Sequence, residues 1–364
     1  VSIFTKTRLA AVGTLGIAAL ALSACAAAPE TPASTTGSGP AASDYLACMV
    51  SDEGGFDDKS FNELAYQGLV QAKEQLGVQT KQAESKSPDE YQSNIDTMVQ
   101  QGCNIIIPVG FKLADATKAA AAANQETDFA IVDVSGIETS NLLTLNYDTA
   151  QAAFLAGYAA AAYSKTGVVG TYGGASIPSV TIFMDGFANG VKHYNEAKGK
   201  NVQVLGWDVA SQTGSFVGDF TNQVAAQQIT AGFLSQNADV VLPVGGPLYQ
   251  GGAEAIKAAG SSAVILGVDS DLAKADPKYA DMILVSIMKG LDVSVLEAIK
   301  EGQSGAFKGG TYVGTLENKG VSLSGFGAFE SQLPAGTTQE LEQLKADVIA
   351  GKYPTLSPSS PKTA

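Results

Sequence analysis

Four charged residues stand where runs of apolar residues end. They are Asp52 after YLACMVS, Asp133 at the close of FAIVD, Asp269 after AVILGV and Lys289 just beyond MILVSI. Other such runs end at Gly110-Phe111, Tyr172-Gly173 and Gly245-Gly246. A charged group beside a buried strand either caps a loop or holds a small polar molecule through charge-assisted hydrogen bonds. Recurrence of these residues at strand ends in both halves of the chain favours a shared cleft. Phe61 lies nine residues after Asp52, across a glycine-bearing loop and in the first turn of a helix, which favours an aromatic contact in that cleft. Asp57 and Asp58 precede the helix and read as caps for its free N–H groups.

Catalytic chemistry lacks its parts. His193 is the only histidine and sits in a helical stretch, VKHYNEAKG, that reads as solvent-exposed. A Ser-His-Asp or Cys-His centre would need it, and no GxSxG elbow occurs. Neither GxxxxGK[ST] nor GxGxxG is present, the nearest run being GTYGGAS. EF-hand loops and CxxC pairs are also absent. The chain is therefore expected to bind rather than catalyse, with no cofactor and no metal. A net charge of −14 argues against nucleic acid as a partner. Two of the three cysteines, Cys48 and Cys103, sit in or at the edge of predicted strands. They form either a disulfide between adjacent strands or two buried thiols.

Residues placed this way need strands to carry them. Strands are predicted at 45–51, 77–82, 103–109, 128–133, 141–145, 167–172, 202–207, 239–244, 263–268 and 282–287. The better ones are unbroken Val/Ile/Leu runs, as in strands covered on both faces. Helices are predicted at 59–75, 88–101, 112–124, 148–164, 178–196, 218–235, 250–259, 290–301 and 336–350. Such alternation means parallel α/β sheets built from βαβ units. The pattern runs twice, over 44–145 and 166–286, and a β-like run at 311–322 follows. We expect an N-terminal lobe from 44–146 plus 287–312 and a C-terminal lobe from 147–286 plus 313–350. Three crossings would form the hinge, and 351–364 read as a tail.

The first 24 residues carry a secretory pattern, with Lys6 and Arg8 before an apolar run from Leu9 to Leu22. Leu22-Ser23-Ala24-Cys25 resembles a bacterial lipobox, which implies lipidation of Cys25. Residues 26–43 hold only Ala, Pro, Ser, Thr, Gly and one Glu, a composition that cannot bury enough apolar surface to fold and reads as a flexible tether. The expected location is the extracytoplasmic face of the cell membrane, held by the lipid.

At VSDEGGFDDKSFNELAYQGL (50–69) the sequence resembles the basic membrane protein family of PnrA-like ABC-transporter solute-binding lipoproteins, which includes purine nucleoside receptors. The likeness continues through Gly110-Phe111, FAIVD, AFLAGYAAA, MDGFANGVK, ADVVLPVGG and ILGVDSD to Lys289. It implies a type-I periplasmic-binding-protein fold with two Rossmann-like lobes, a three-segment hinge and a nucleoside in the cleft. Carried over by motif, Asp52 and Asp269 match carboxylates near the ligand, Lys289 the family's lysine and Phe61 one aromatic wall. Asp133 and Gly245-Gly246 match further lining positions, and Asn62 and Gly110 belong to the same matched runs. Phe183 is taken as the second wall and Phe187, one turn on, as core; the place of Glu53 stays open. The resemblance also implies ABC permease and ATPase partners and a monomeric receptor. Sugar binding, ligand sensing and nucleoside hydrolysis are the competing readings.

Overall fold

The computed structural model describes residues 42–353 and 356–361. The leader, Cys25 and nearly all of the tether lie outside them. In chain order the elements are β1 (Leu46–Ser51), α1 (Phe61–Leu76), β2 (Gln79–Glu84), α2 (Tyr91–Gln100), β3 (Ile105–Val109), α3 (Ala114–Ala123), β4 (Asp128–Val132) and β5 (Leu142–Tyr147). Next come α4 (Thr149–Tyr163), β6 (Val168–Gly173), α5 (Pro178–Lys198), β7 (Gln203–Leu205), β8 (Trp207–Asp208), β9 (Thr213–Gly214), α6 (Gln223–Leu234), β10 (Val240–Val244), α7 (Leu248–Ala258) and β11 (Val264–Asp269). The chain ends with α8 (Leu272–Ala275), β12 (Ile283–Lys289), α9 (Leu291–Gln303), β13 (Gly310–Gly314), β14 (Val321–Leu323) and α10 (Thr337–Ile349).

Two six-stranded sheets repeat one plan. Their orders are β13-β5-β4-β3-β1-β2 and β14-β12-β11-β10-β6-β7. Only the β12–β14 pair among these is antiparallel. Strands β1, β3, β10 and β11 are buried almost throughout, as unbroken apolar runs require when helices cover both faces. In α4 every residue but Gln151 is buried, because α5, α10 and β12 surround it. A helix apolar on all sides belongs in such a core.

The chain passes between the sheets three times, after β5, after β12 and between β13 and β14. The changeovers fall after Tyr147, Lys289 and Gly314, a little beyond the expected lobe boundaries. β12 continues to Lys289 against β14, and β13 to Gly314 against β5. The run 311–322, read as one β-like stretch, is therefore two strands in two sheets. Helix α6 starts at Gln223 rather than 218: the Asp219 carboxylate accepts from the Thr221 and Asn222 N–H groups, and Asn222 then caps Ala225 N. The strand predicted at 202–207 stops at Leu205, since Gly206 adopts a positive φ of 81° and Trp207 enters the small β8–β9 ribbon.

Two further expectations are corrected. The tail beyond 350 is docked: Leu356 is buried, Asn189 donates to its carbonyl, Ser357 to Asp185 and Ser360 to Asp148. His193 is half-buried between Phe154 and Tyr353, not solvent-exposed. Of the two cysteine alternatives the disulfide is found, joining Cys48 in β1 to Cys103 before the neighbouring β3.

Candidate functional site

The strand ends of the two sheets face one another across a cleft of about 610 Å³, mouth included. All ten residues proposed from sequence line it: Asp52, Phe61, Asn62, Gly110 and Asp133 from the first lobe, and Phe183, Gly245, Gly246, Asp269 and Lys289 from the second. Ligands of open α/β sheets sit beyond the carboxyl ends of the strands, which is why residues following apolar runs meet here. The lobes match in detail. β3 and β10 both end on a positive-φ glycine, Gly110 and Gly245, while Asp133 and Asp269 close β4 and β11 with φ near +60° (59° and 67°). Asp tolerates that left-handed geometry better than most residues, and it turns both carboxylates toward the cleft.

Lys289 is the electrostatic centre. Its Nζ lies 2.6 Å from Asp133 Oδ2 and 3.4 Å from Asp269 Oδ1. The ammonium is also 5.2 Å from the Phe61 ring centroid and 5.1 Å from that of Phe183. Burial pulls its pKa down, but the two carboxylates outweigh that and hold it above the ordinary lysine value. Burial pushes Asp133 up, against the pull of Lys289. The Lys289–Asp133 pair joins the second lobe to the first.

At the other end, the Asp52 carboxylate accepts from Gly54 N (3.0 Å) and Asn62 Nδ2 (2.9 Å). Its pKa is raised by burial, with those two hydrogen bonds opposing. Asp58 caps α1 as expected, accepting from the N–H groups of Ser60, Asn62 and Glu63, and burial still pushes it up to about 6. Its partner in the expectation, Asp57, is exposed and makes no such bond. Asn62 Oδ1 and Asp269 Oδ1 are buried without a hydrogen-bond partner; the 3.4 Å approach of Lys289 to Asp269 lacks hydrogen-bond alignment. A buried acceptor left unbonded, as Asn62 Oδ1 is, costs about 1–3 kcal/mol, while Asp269 Oδ1 keeps the Lys289 ammonium beside it; both belong to cleft-lining residues.

Phe187 is fully buried against α4, as expected, and Phe183 lines the cleft. Glu53 sits apart, held by Tyr91 and by Lys112 at 3.0 Å. Tyr172 turns inward, bonded to Thr230. The sequence reading missed the apolar side: Ile177, Val180, Phe220 and Pro247, with Phe111 placed at a strand end but not in the site. Phe111 and Phe220 meet edge-on across the lobes, with centroids 6.3 Å apart. Phe220 was hidden inside a predicted helix; Asp219 and Asn222, both cap-type residues, were the signal that the helix begins later.

Two like-built α/β lobes, joined by three crossings and closed over a charged and aromatic cleft, define a solute-binding protein of the periplasmic-binding-protein type. Residues 46–349 match the family described as ABC transporter substrate-binding protein PnrA-like, and the chain belongs to that family. It is 30% identical to the ABC transporter nucleoside-binding protein BmpA of Lactococcus lactis subsp. cremoris, over 95% of this chain and 98% of that one. It is 29% identical to basic membrane protein A of Borreliella afzelii, over 82% and 87%. Among solved structures, an ABC transporter solute-binding protein from Aeropyrum pernix K1 superposes with a TM-score of 0.73 at 26% identity, covering 85% of this chain and 92% of that one. The glucose-galactose binding protein GanP of Geobacillus stearothermophilus shares the fold alone, at 14% identity and a TM-score of 0.59 over 79% and 98%.

Proposed function

We propose that this substrate-binding protein captures a nucleoside, a purine nucleoside first, and delivers it to the permease of an ABC importer while Cys25 holds it to the membrane by a lipid. One observation carries the reading: Phe61 and Phe183, from opposite lobes, line one cleft with the carboxylates of Asp52 and Asp269 and with Asn62, and Oδ1 of both Asn62 and Asp269 is buried without a hydrogen-bond partner. A flat base gives its faces to the two rings, and stacking of this kind contributes about 1–3 kcal/mol per base. Ribose hydroxyls donate to carboxylates in charge-assisted bonds about twice as strong as neutral ones. Contact with both lobes favours the closed arrangement, which the permease then recognises. The name of the Lactococcus relative supports the same ligand class.

Calorimetric titration tests this with inosine and guanosine against ribose and galactose. The nucleosides bind, the free sugars do not, and Phe61→Ala and Asp269→Ala each weaken binding at least about tenfold with the fold intact. Equal binding of ribose or galactose, or unchanged affinity in both variants, sinks the reading. Release of free hypoxanthine from inosine would make the protein a hydrolase instead. In cells, Cys25→Ser moves the protein out of the membrane fraction; its persistence there refutes the anchor.

A further inference from the structure

Besides the Lys289–Asp133 pair, the lobes are tied by hydrogen bonds that centre on one residue outside the cleft lining. Ser60 precedes α1 at its N-cap position but makes no side-chain cap bond, because Asp58 satisfies the helix's first N–H groups. Its hydroxyl is free to cross to the other lobe. Ser60 Oγ lies 3.2 Å from both Val268 O and Asp269 Oδ2, and the residue is 2% exposed. Beside it the bond is returned: Ser270 Oγ donates to Lys59 O at 3.0 Å. Lys59 has a φ of 60° and Asp269 one of 67°, a costly geometry for non-glycine residues that persists only where the surroundings hold it. Both strained residues lie in the segments that meet.

We infer that Ser60 is a positioning residue for ligand capture: reaching from the first lobe, it fixes the Asp269 carboxylate of the second and, with Ser270 and Lys59, clasps the lobes shut. Its bond to Oδ2 leaves Asp269 Oδ1 buried beside the Lys289 ammonium but without a hydrogen bond. The backbone of Asp269 already turns its carboxylate toward the cleft, and Ser60 adds a second hold on it when the lobes meet. Closure completes the fixing of Asp269. An affinity that depends on a closed state falls in proportion to that state's population. The clasp stands on geometry alone, while its role in capture rests on the nucleoside reading.

Two measurements decide it. Small-angle scattering compares the radius of gyration of ligand-free wild type with that of Ser60→Ala/Ser270→Ala, and the variant expands. Calorimetry with inosine follows Ser60→Ala in the wild-type and Asp269→Asn backgrounds. Affinity falls at least about tenfold in the first, the loss expected for a hydrogen bond to a buried charge, and less than twofold in the second, because Ser60 acts through Asp269. An unchanged radius of gyration overturns the clasp. Equal losses in both backgrounds overturn the positioning role and leave Ser60 merely structural. Wild type that binds neither inosine nor guanosine refutes the nucleoside reading, and the scattering comparison still decides the clasp.

Discussion

Lys289 shows how a buried charge is kept. Its side chain is 3% exposed and faces two carboxylates, Asp133 and Asp269, one from each lobe. Removing one partner of such a set costs about 3–5 kcal/mol, because the remaining charge stays buried and unpaired. We therefore predict that Lys289→Met lowers unfolding free energy in urea at neutral pH by about that amount. Adding Asp133→Asn to the same chain restores part of the loss. A double variant less stable than Lys289→Met alone would show that Asp133 is not the stranded charge. At this scale the sequence was informative wherever a charged residue followed an apolar run, since the core admits an aromatic such as Tyr172 at a strand end but not an unpaired charge. Ser60 and Phe220 escaped because their roles depend on the opposite lobe, and no spacing within one segment carries that.

Helices α4 and α5 illustrate the element scale. They cross at glycines: a Cβ on Gly157 would lie 2.0 Å from Phe187 O, and one on Gly190 would lie 2.0 Å from Phe154 O. Both obstacles are backbone, which cannot rotate aside. Gly157→Ala should therefore force the helices apart at a cost of about 1–3 kcal/mol or more. Gly232→Ala, on an exposed turn of α6 where a Cβ meets nothing within 4 Å, should instead stabilise by about 0.5–1 kcal/mol. Thermal denaturation of the two variants checks the pair, and a loss of stability from Gly232→Ala or none from Gly157→Ala contradicts the packing described. The AFLAGYAAA run was legible as helix from its composition. Its depth was not, because a small-residue helix reads alike whether one face or every face is covered.

Over the whole molecule, the doubled βα rhythm was plain, since unbroken apolar runs and helical periodicity recur at regular spacing. The ends of the rhythm were obscure: β13 and β14 are short, partly exposed strands with little periodicity, and the closing strap is mostly Ser and Pro. That strap spans from α5 to the first crossing, through Ser357 on Asp185 and Ser360 on Asp148. Ending the chain at Tyr353 strips a buried Leu and two hydrogen bonds to carboxylates. The expected cost is about 2–4 kcal/mol, read as a lower melting temperature, with inosine affinity changed less than about threefold. An unaltered melting temperature would mean the strap carries no stability. The edge strand β13 also sets a timetable. Thr144 in β5 awaits its cross-strand partner Thr311, 167 residues later, about 10 to 30 seconds of ribosomal synthesis. Throughout that interval the nascent first lobe carries an open β edge of the kind that seeds aggregation, so the first lobe to be started stays unfinished until most of the second has been made.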